Sequence, residues 1–278
     1  MQKESVFWDL SEEQGPSALE LGDGSRVGIV GGGPSVSFFA YFLLDMAARM
    51  GRELHVTIYE PRDFYNPGPK GCNMCGGIIS ESLVQHLALD GITLPDTIVQ
   101  RGIDSYVLHM DVGDVRIETP LHEKRIGAVH RGPGPRDIQE IKWGSFDGHL
   151  LRLAQEKGAS VVRQRVTGVR RQDDRMWVRD GSKEEQGYDL LVVSIGVNST
   201  ATARLVKDLG LSYRPPETTR TLIREYYLGE ETIAEVLGDS MHVFLLDIPG
   251  LEFAAAIPKG DYVSICLLGD EIDRELYE

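Results

Sequence analysis

The feature that most constrains this sequence is a short apolar segment, Arg26–Val30, that runs directly into three consecutive glycines, Gly31, Gly32 and Gly33. Such a segment is typical of a buried parallel strand, and glycine permits the sharp turn and close backbone approach that a diphosphate requires. Pro34 follows, and proline at a first helical position predicts a helix whose positive N-terminal end faces the phosphates. The segment therefore predicts a nucleotide-binding turn.

An acidic residue follows the next apolar segment. Residues 54–59 form the second predicted strand, and Glu60 stands at its end, where a carboxylate accepts hydrogen bonds from ribose hydroxyls. Strand, glycine turn, helix, strand and acid in this order are stronger evidence than the glycines alone. Val36, beside Ser35 and Ser37, replaces the third glycine of G-x-G-x-x-G, which predicts a looser approach of helix and strand. The alternatives are a plain βαβ turn and, for Glu60, a solvated strand end.

The composition narrows the function classes. The 29 basic residues are outnumbered by 43 acidic ones, and the formal net charge of -14 argues against a nucleic-acid or anionic-membrane surface. No apolar run approaches the roughly 20 residues of a membrane span, and residues 1–24 lack an apolar core of signal-peptide length. Three cysteines do not make a disulfide framework. We therefore expect a cytoplasmic protein with reduced thiols, no transmembrane segment and no nucleic-acid partner.

The order of predicted elements indicates an α/β fold. A Rossmann-like nucleotide-binding domain with a mixed, mostly parallel sheet is interleaved with a second, mainly antiparallel sheet domain on the substrate side. We predict an N-terminal extension over 1–25, the first domain over 26–100 and 126–203, and the second over 101–125 and 204–278. Residues 190–195 are predicted to form a buried parallel strand. Asp147 is predicted to cap a helix over 146–157.

Several segments, taken in order, are shared with a known family. They are Gly31-Gly32-Gly33-Pro34 with Glu60, the loop Pro69-Lys70-Gly71-Cys72-Asn73-Met74-Cys75-Gly76-Gly77, Arg131 followed by Phe146-Asp147-x-x-Leu150, Gly196-Val197-Asn198-Ser199, and, more weakly, Phe253-x-Ala255-x-Ile257-Pro258-x-Gly260. Together they resemble the two-domain FAD-dependent oxidoreductases of the geranylgeranyl reductase and aromatic-ring hydroxylase type. The resemblance spans residues 26–268.

This resemblance implies FAD as the cofactor, with the glycine turn on its ADP half and the cysteine loop beside its flavin ring. The candidate cofactor-binding residues are Gly31, Gly32, Gly33, Pro34, Ser35, Glu60, Pro61, Arg62, Lys70, Gly76, Gly77, Arg131, Val166 and Gly196. The candidate catalytic residues are Cys75 and, as a resolving thiol, Cys72. No metal is expected, and NAD(P)H or another external electron donor is a further cofactor candidate.

The two loop cysteines leave alternatives open. Cys72 and Cys75 form a C-x-x-C pair, a spacing shared by thiol redox sites and zinc half-sites. A zinc site needs a second pair, and the one other cysteine, Cys266, lies in an apolar strand. Two reduced cysteines without a redox partnership are the remaining interpretation.

Arg131 follows a predicted strand and enters a glycine loop, so it is a candidate for neutralising a flavin or substrate anion, with a surface arginine as the alternative. His109 and His130 stand at strand ends. Lone histidines are more often structural than catalytic, so neither is assigned a role.

The departures from the family bear on function. Ile195 stands where the hydroxylases have an aspartate, and Ala255 replaces a bulky aromatic residue of the substrate-side signature. The family's later Gly-Asp segment is missing, because the acidic residues after Gly269-Asp270 are unsuited to a diphosphate. We therefore expect a chain that lacks the family's C-terminal third, with a C-terminal segment or a partner chain completing the site.

The resemblance implies flavin-mediated hydride transfer, with reduction of a carbon–carbon double bond in an apolar, isoprenoid-like small molecule. The cysteine loop and the Pro-x-Gly signature favour reduction. A flavin-dependent monooxygenase is the first alternative. The second is a non-catalytic nucleotide- or flavin-binding module, or a subunit that needs a partner.

Overall fold

The computed structural model describes residues 20–68, 75–136, 138, 142–270 and 272. The helices are α1 (Pro34–Arg49), α2 (Glu81–Leu89), α3 (Phe146–Glu156), α4 (Thr202–Leu209) and α5 (Glu230–Val236). The strands are β1 (Arg26–Val30), β2 (His55–Tyr59), β3 (Ile78–Ile79), β4 (Val99–Ile103), β5 (Ser105–Met110), β6 (Gly113–Glu118), β7 (Ile126–Val129), β8 (Ser160–Val162), β9 (Gly168–Gln172), β10 (Arg175–Arg179), β11 (Glu185–Tyr188), β12 (Leu190–Val193), β13 (Arg220–Tyr227), β14 (Ser240–Leu245), β15 (Phe253–Lys259) and β16 (Tyr262–Gly269). Most of the predicted N-terminal extension lies outside the described residues.

Four strands form a wholly parallel sheet in the order β12-β1-β2-β8. The first predicted strand and the helix after it are confirmed, and α1 and α3 cover one face of this sheet. Val36, at the position of the missing third glycine, is 1% exposed and packs in the same core as Ile29. Helix and strand thus accommodate the valine side chain within the core.

A small antiparallel sheet, β11-β10-β9, covers the other face of the parallel sheet. Tyr188 of β11 packs directly over β1, where a Cβ atom at Gly28 would lie 2.7 Å from its ring. The Tyr188 hydroxyl lies 2.8 Å from that of Tyr59 at the end of β2. This contact joins the two sheets next to the predicted nucleotide site.

The largest sheet has six strands in the order β13-β16-β15-β14-β5-β6 and is antiparallel except for the pair β14-β5. The three-stranded sheet β3-β7-β4 packs against it through Ala128, Ala255 and Ile257. Val129 at the end of β7 packs with Phe146 of α3 in a separate cluster. The segment after β7 therefore lies between the two parts of the fold. The predicted α/β class, with one parallel and one mainly antiparallel sheet, is confirmed.

The parallel strand predicted over 190–195 forms as β12, but it ends at Val193 and is not fully buried, because it lies at the edge of the described sheet and Val193 is 38% exposed. One local prediction is wrong. Asp147 does not cap α3, because Ser145 is the N-cap and accepts a hydrogen bond from the Gly148 amide. The strand β4 and the helix α4 were not predicted. No helix in the described ranges is long and apolar enough to span a membrane.

Candidate functional site

The glycine turn after β1 is shaped by close backbone contacts. Gly31 has a φ of +113°, and a Cβ atom there would lie 2.3 Å from the carbonyl oxygen of Ser194. A Cβ atom at Gly32 would lie 2.5 Å from the Cβ atom of Glu60. Gly33 differs, because its nearest neighbour would be the Arg131 guanidinium at 3.8 Å. Two glycines therefore allow the turn to form, and the third keeps a space open next to a cation.

The N-terminus of α1 is available to an anion. Gly33 is the N-cap, no side chain caps the helix, and no acidic residue lies in its first turn. Pro34 begins the helix, as predicted. Ser35 is exposed, and its hydroxyl accepts a hydrogen bond from the Ser194 hydroxyl at 3.2 Å. Backbone amides and the helix dipole at such an end favour negative charge.

Glu60 is buried, with 2% of its surface exposed. Its Oε2 atom accepts a hydrogen bond from the Gly32 amide at 2.8 Å, and Oε1 accepts one from the Arg62 amide at 2.8 Å. The Arg62 side chain also binds the carboxylate, and Pro61 between them is exposed. A solvated strand end is therefore excluded for Glu60. Gly32 and Arg62 together donate four hydrogen bonds to this carboxylate, about as many as it can accept, so a ribose hydroxyl would take the place of one from the exposed Arg62 side chain.

Arg131 forms a two-point ion pair with Asp147 in the first turn of α3. Its Nε and Nη2 atoms lie 3.0 and 2.6 Å from the two carboxylate oxygens. Asp147 is fully buried, whereas the Arg131 side chain is 27% exposed. Burial raises the pKa of Asp147, and Arg131 opposes that shift. The arginine is thus fixed in position at the edge of the glycine turn.

The loop before β3 carries Cys75, Gly76 and Gly77. Gly77 has a φ of +68°, and a Cβ atom there would lie 2.0 Å from the carbonyl oxygen of Val129. The Gly77 carbonyl in turn accepts a hydrogen bond from the Val129 amide at 2.7 Å. A Cβ atom at Gly76 would lie 3.1 Å from the Sγ atom of Cys266. The loop therefore lies against both β7 and the six-stranded sheet.

Burial raises the pKa of the half-buried Cys75 thiol, although Arg131 and Lys259 act in the opposite direction. Burial also raises the pKa of Cys266 to about 11. Both thiols therefore stay protonated at neutral pH, unlike the thiolate of an activated nucleophile. Cys72 and Lys70 lie outside the described residues, so the dithiol remains a prediction.

A buried cluster of charged side chains lies beneath the same loop. Lys259, the last residue of β15, is 1% exposed, and its Nζ atom lies 4.0 Å from Oε1 of Glu225 in β13. The Nδ1 atom of His130 and the hydroxyl of Ser264 each lie 3.1 Å from the same oxygen. A Cβ atom at Gly77 would lie 3.0 Å from the lysine Nζ atom. Sequence reasoning missed this cluster and gave His130 no role.

The pKa values of these groups are shifted by their surroundings. Burial lowers the pKa of His130, with Glu225 opposing, and also lowers the pKa of Lys259. Burial acts to raise the pKa of Glu225, but His130, Lys259 and Ser264 outweigh it, so this pKa lies below its usual value. An ionised carboxylate therefore accompanies the buried lysine, as burial of a charge requires.

Two predicted cofactor residues occupy different surroundings. Gly196 is exposed, with a φ of +80°, two residues beyond Ser194 and thus beside the glycine turn. Val166 is 5% exposed and packs with Tyr59 in the core between the parallel sheet and the small antiparallel sheet. Across the described residues, no group of three or more His, Cys, Asp or Glu side chains is arranged to hold a metal ion.

The comparisons with known proteins identify the fold. No protein-family model matches the sequence, and no curated protein matches it. Among solved structures, FqzB is similar over 92% of this chain and 55% of its own, at 14% identity and a TM-score of 0.55. A flavoprotein/dehydrogenase from Cytophaga hutchinsonii is similar over 88% of this chain and 55% of its own, at 16% identity and a TM-score of 0.56.

CtdE, solved in complex with FAD, is similar over 90% of this chain and 60% of its own, at 14% identity and a TM-score of 0.54. This chain therefore has the fold of solved flavoproteins and spans somewhat more than half of their length. The fold predicted from the family resemblance is confirmed, whereas the likeness to geranylgeranyl reductases in particular stays a prediction.

The residues present fit a dinucleotide. The turn at Gly31 and Gly32 has no room for side chains, Gly33 leaves a space that a Cβ atom would fill, and Arg131 faces that space. Glu60 is held by the amide of the middle glycine. These groups supply what a diphosphate and its neighbouring ribose require: backbone donors, a cation and a carboxylate acceptor.

Proposed function

We propose that this chain binds FAD and is an FAD-dependent oxidoreductase that reduces a carbon–carbon double bond in an apolar small molecule. The observation that carries the proposal is the closeness of two elements predicted from separate motifs. Arg131 lies beside Gly33 of the glycine turn, while the residue two places before it, Val129, is hydrogen bonded to Gly77 of the cysteine loop. A cofactor whose central diphosphate is joined through a ribityl chain to a flavin ring suits this arrangement.

When bound and reduced by an external donor, FAD would supply the hydride that such a reduction needs. The protein groups bind and orient it: the α1 N-terminus and Arg131 bind the diphosphate, and Glu60 binds the ribose. On the far side of the cysteine loop, Ala255 and Ile257 of β15 give an apolar, water-excluding wall. The Cys75 thiol, kept protonated by its burial, holds a proton at Sγ beside that wall.

The FAD proposal is tested at Gly33, where an alanine fits the protein but fills the space left for phosphate. The backbone at Gly33 is extended, with a φ of -71°, so Gly33→Ala should fold normally. We expect at least tenfold weaker FAD binding, measured by quenching of flavin fluorescence. Gly22→Ala is the matched control, because nothing lies within 4 Å of its added Cβ atom. A wild-type chain that binds no FAD, or equal affinity in all three proteins, contradicts the proposal.

Oxygen-dependent hydroxylation is the competing proposal, since one solved structure with this fold is a 2-methyl-3-hydroxypyridine-5-carboxylic acid oxygenase at 14% identity. Anaerobic incubation with dithionite and a panel of isoprenoid alkenes separates the two. A reductase adds two hydrogens without oxygen, which mass spectrometry detects. Product that forms only with oxygen and contains it supports a monooxygenase instead.

Several further features belong to the same proposal. NAD(P)H or another external donor would reduce the flavin, and a further segment or a partner chain would complete the far side of the site. The domain boundaries and the cytoplasmic location given above are also part of this proposal. Addition of NADH or NADPH to the FAD-loaded chain, followed by flavin absorbance, tests the donor.

A further inference from the structure

The lysine beneath the cysteine loop is a charged residue in the protein interior, where lysines are rarely found. Lys259 is almost fully buried, and a lysine in the interior needs a compensating negative group because the protein solvates it far less well than water does. Glu225 supplies that charge, and His130 and Ser264 hold the carboxylate in place. Three different strands and the segment after β7 contribute to the arrangement, so its position is fixed by tertiary structure.

The ammonium group lies at the loop and not within the apolar core of the sheet. Its Nζ atom would lie 3.0 Å from a Cβ atom at Gly77, and that glycine is joined to Val129. Arg131, two residues further on, reaches the glycine turn at Gly33. Both Arg131 and Lys259 act electrostatically on the Cys75 thiol. Two cations therefore lie near the loop, and Arg131 is the one that also reaches the proposed diphosphate site.

We propose that Lys259, whose Nζ atom lies 4.0 Å from the Glu225 carboxylate, is the cation that stabilises the reduced flavin ring at the Cys75–Gly77 loop. This inference rests on the proposed binding of FAD. It goes further, because it assigns a role to the buried charged cluster around Lys259. It also predicts the direction in which this lysine shifts the reduction equilibrium of the flavin.

The physical basis is that reduction adds charge to the ring. Two electrons and one proton entering FAD leave one net negative charge on the flavin. Charge near the ring is one of the means by which a protein sets the electronic properties of a flavin. A fixed cation in a poorly solvated site interacts with new charge more strongly than one in water. Lys259 therefore favours the reduced state over the oxidised one, whereas a neutral residue in its place does not.

The experiment compares the FAD-loaded wild-type chain with Lys259→Met, Lys259→Gln and Lys259→Arg. Each protein is reduced stepwise with dithionite, without oxygen, in the presence of a reference dye. Absorbance then gives the equilibrium constant between reduced flavin and reduced dye. Lys207→Met, which removes an exposed lysine from α4, is the matched control.

We expect both neutral variants to shift the equilibrium constant at least tenfold toward oxidised flavin, which is about 30 mV for a two-electron couple. Lys259→Arg should stay within threefold of the wild type, and so should Lys207→Met. Unchanged constants in the Met and Gln variants overturn this inference while leaving FAD binding intact. Failure of the wild type to bind FAD overturns the inference and the proposed function together. Loss of folding in both neutral variants, seen by circular dichroism, also overturns it, because Lys259 would then be structural.

Discussion

Removing the charge of Arg131 should expose the energetic cost of burying Asp147. The carboxylate is fully buried, and Arg131 holds it through two hydrogen bonds. Deleting one partner of a buried ion pair typically costs 3–5 kcal/mol, because an uncompensated charge is left behind. The Arg131 side chain is 27% exposed, so water compensates part of the loss. We therefore expect Arg131→Met to lower the free energy of unfolding by about 3 kcal/mol at pH 7.

The pH dependence of this variant gives a second, independent readout. The pKa of Asp147 is already raised by burial, and loss of Arg131 removes the main group that lowers it. A raised pKa in the folded state stabilises the fold at low pH, and that contribution is lost as pH rises through the folded-state pKa. Arg131→Met should therefore recover stability as pH falls from 7 toward the usual pKa of an aspartate, by up to about 1.4 kcal/mol for each pH unit over which one proton is taken up.

Urea unfolding followed by tryptophan fluorescence measures both effects, provided that the dependence on urea concentration is unchanged. Arg131→Met combined with Asp147→Asn is the compensating variant, because it removes the orphaned charge as well. It should be at least 1 kcal/mol more stable than Arg131→Met alone at pH 7, since most of the loss comes from the unpaired carboxylate. Arg49→Met, at a position 78% exposed, is the control and should be near neutral. A loss below 1 kcal/mol with no effect of pH would refute this account.

Three other results follow from the site. Gly77→Ala should destabilise the fold by more than the roughly 1–2 kcal/mol of a left-handed backbone, because its Cβ atom would lie 2.0 Å from a carbonyl oxygen. Gly210→Ala, with a φ of +64° and nothing within 4 Å, isolates the backbone cost, and equal melting temperatures in the two variants contradict the prediction. Ser145→Ala removes the α3 N-cap and should cost about 1 kcal/mol in urea unfolding, whereas no change would mean that another group caps the helix. Iodoacetamide at pH 8 should label Cys75 slowly and Cys266 more slowly still, since burial raises the pKa of both and that of Cys266 reaches about 11. Peptide mass mapping that finds Cys266 labelled first argues against these environments.

The parts of the fold that the sequence allowed us to predict are those that local chemistry determines. Glycine and proline at residues 31–34 place a turn and a helix start wherever the chain goes next. The strand β4 was missed because Gln100 and Arg101 interrupt its apolar pattern. In the structure, Nη1 of Arg101 donates hydrogen bonds to the carbonyl of Gly238 and the carboxylate of Asp239, residues that local sequence does not connect with it.

The candidate site likewise has one part that local sequence predicts and one part that only the tertiary structure brings together. The glycine turn and Glu60 belong to one local unit, so their association was predictable. The cluster of His130, Glu225 and Lys259 was not, because it joins the segment after β7 with β13 and β15 through strand pairing and sheet packing. A charged residue within a strand gives no signal of that meeting. Glu225 and Ser264 share a register position in neighbouring strands, but only the sheet order makes this visible.

The two cations near the cysteine loop share one principle of construction. Arg131 is paired with Asp147 from α3, and Lys259 is paired with Glu225 from β13, so each carboxylate comes from a different element of the fold from its cation. Each pair is close to neutral by itself, which allows the cation to be buried or half-buried without bound ligand. The same pairing fixes the cation in place, so negative charge brought by a cofactor meets a preformed field and requires little rearrangement. Because an arginine keeps its charge, removing Asp147 should therefore strengthen the local positive field while weakening the fold, and stability and anion binding should change in opposite directions.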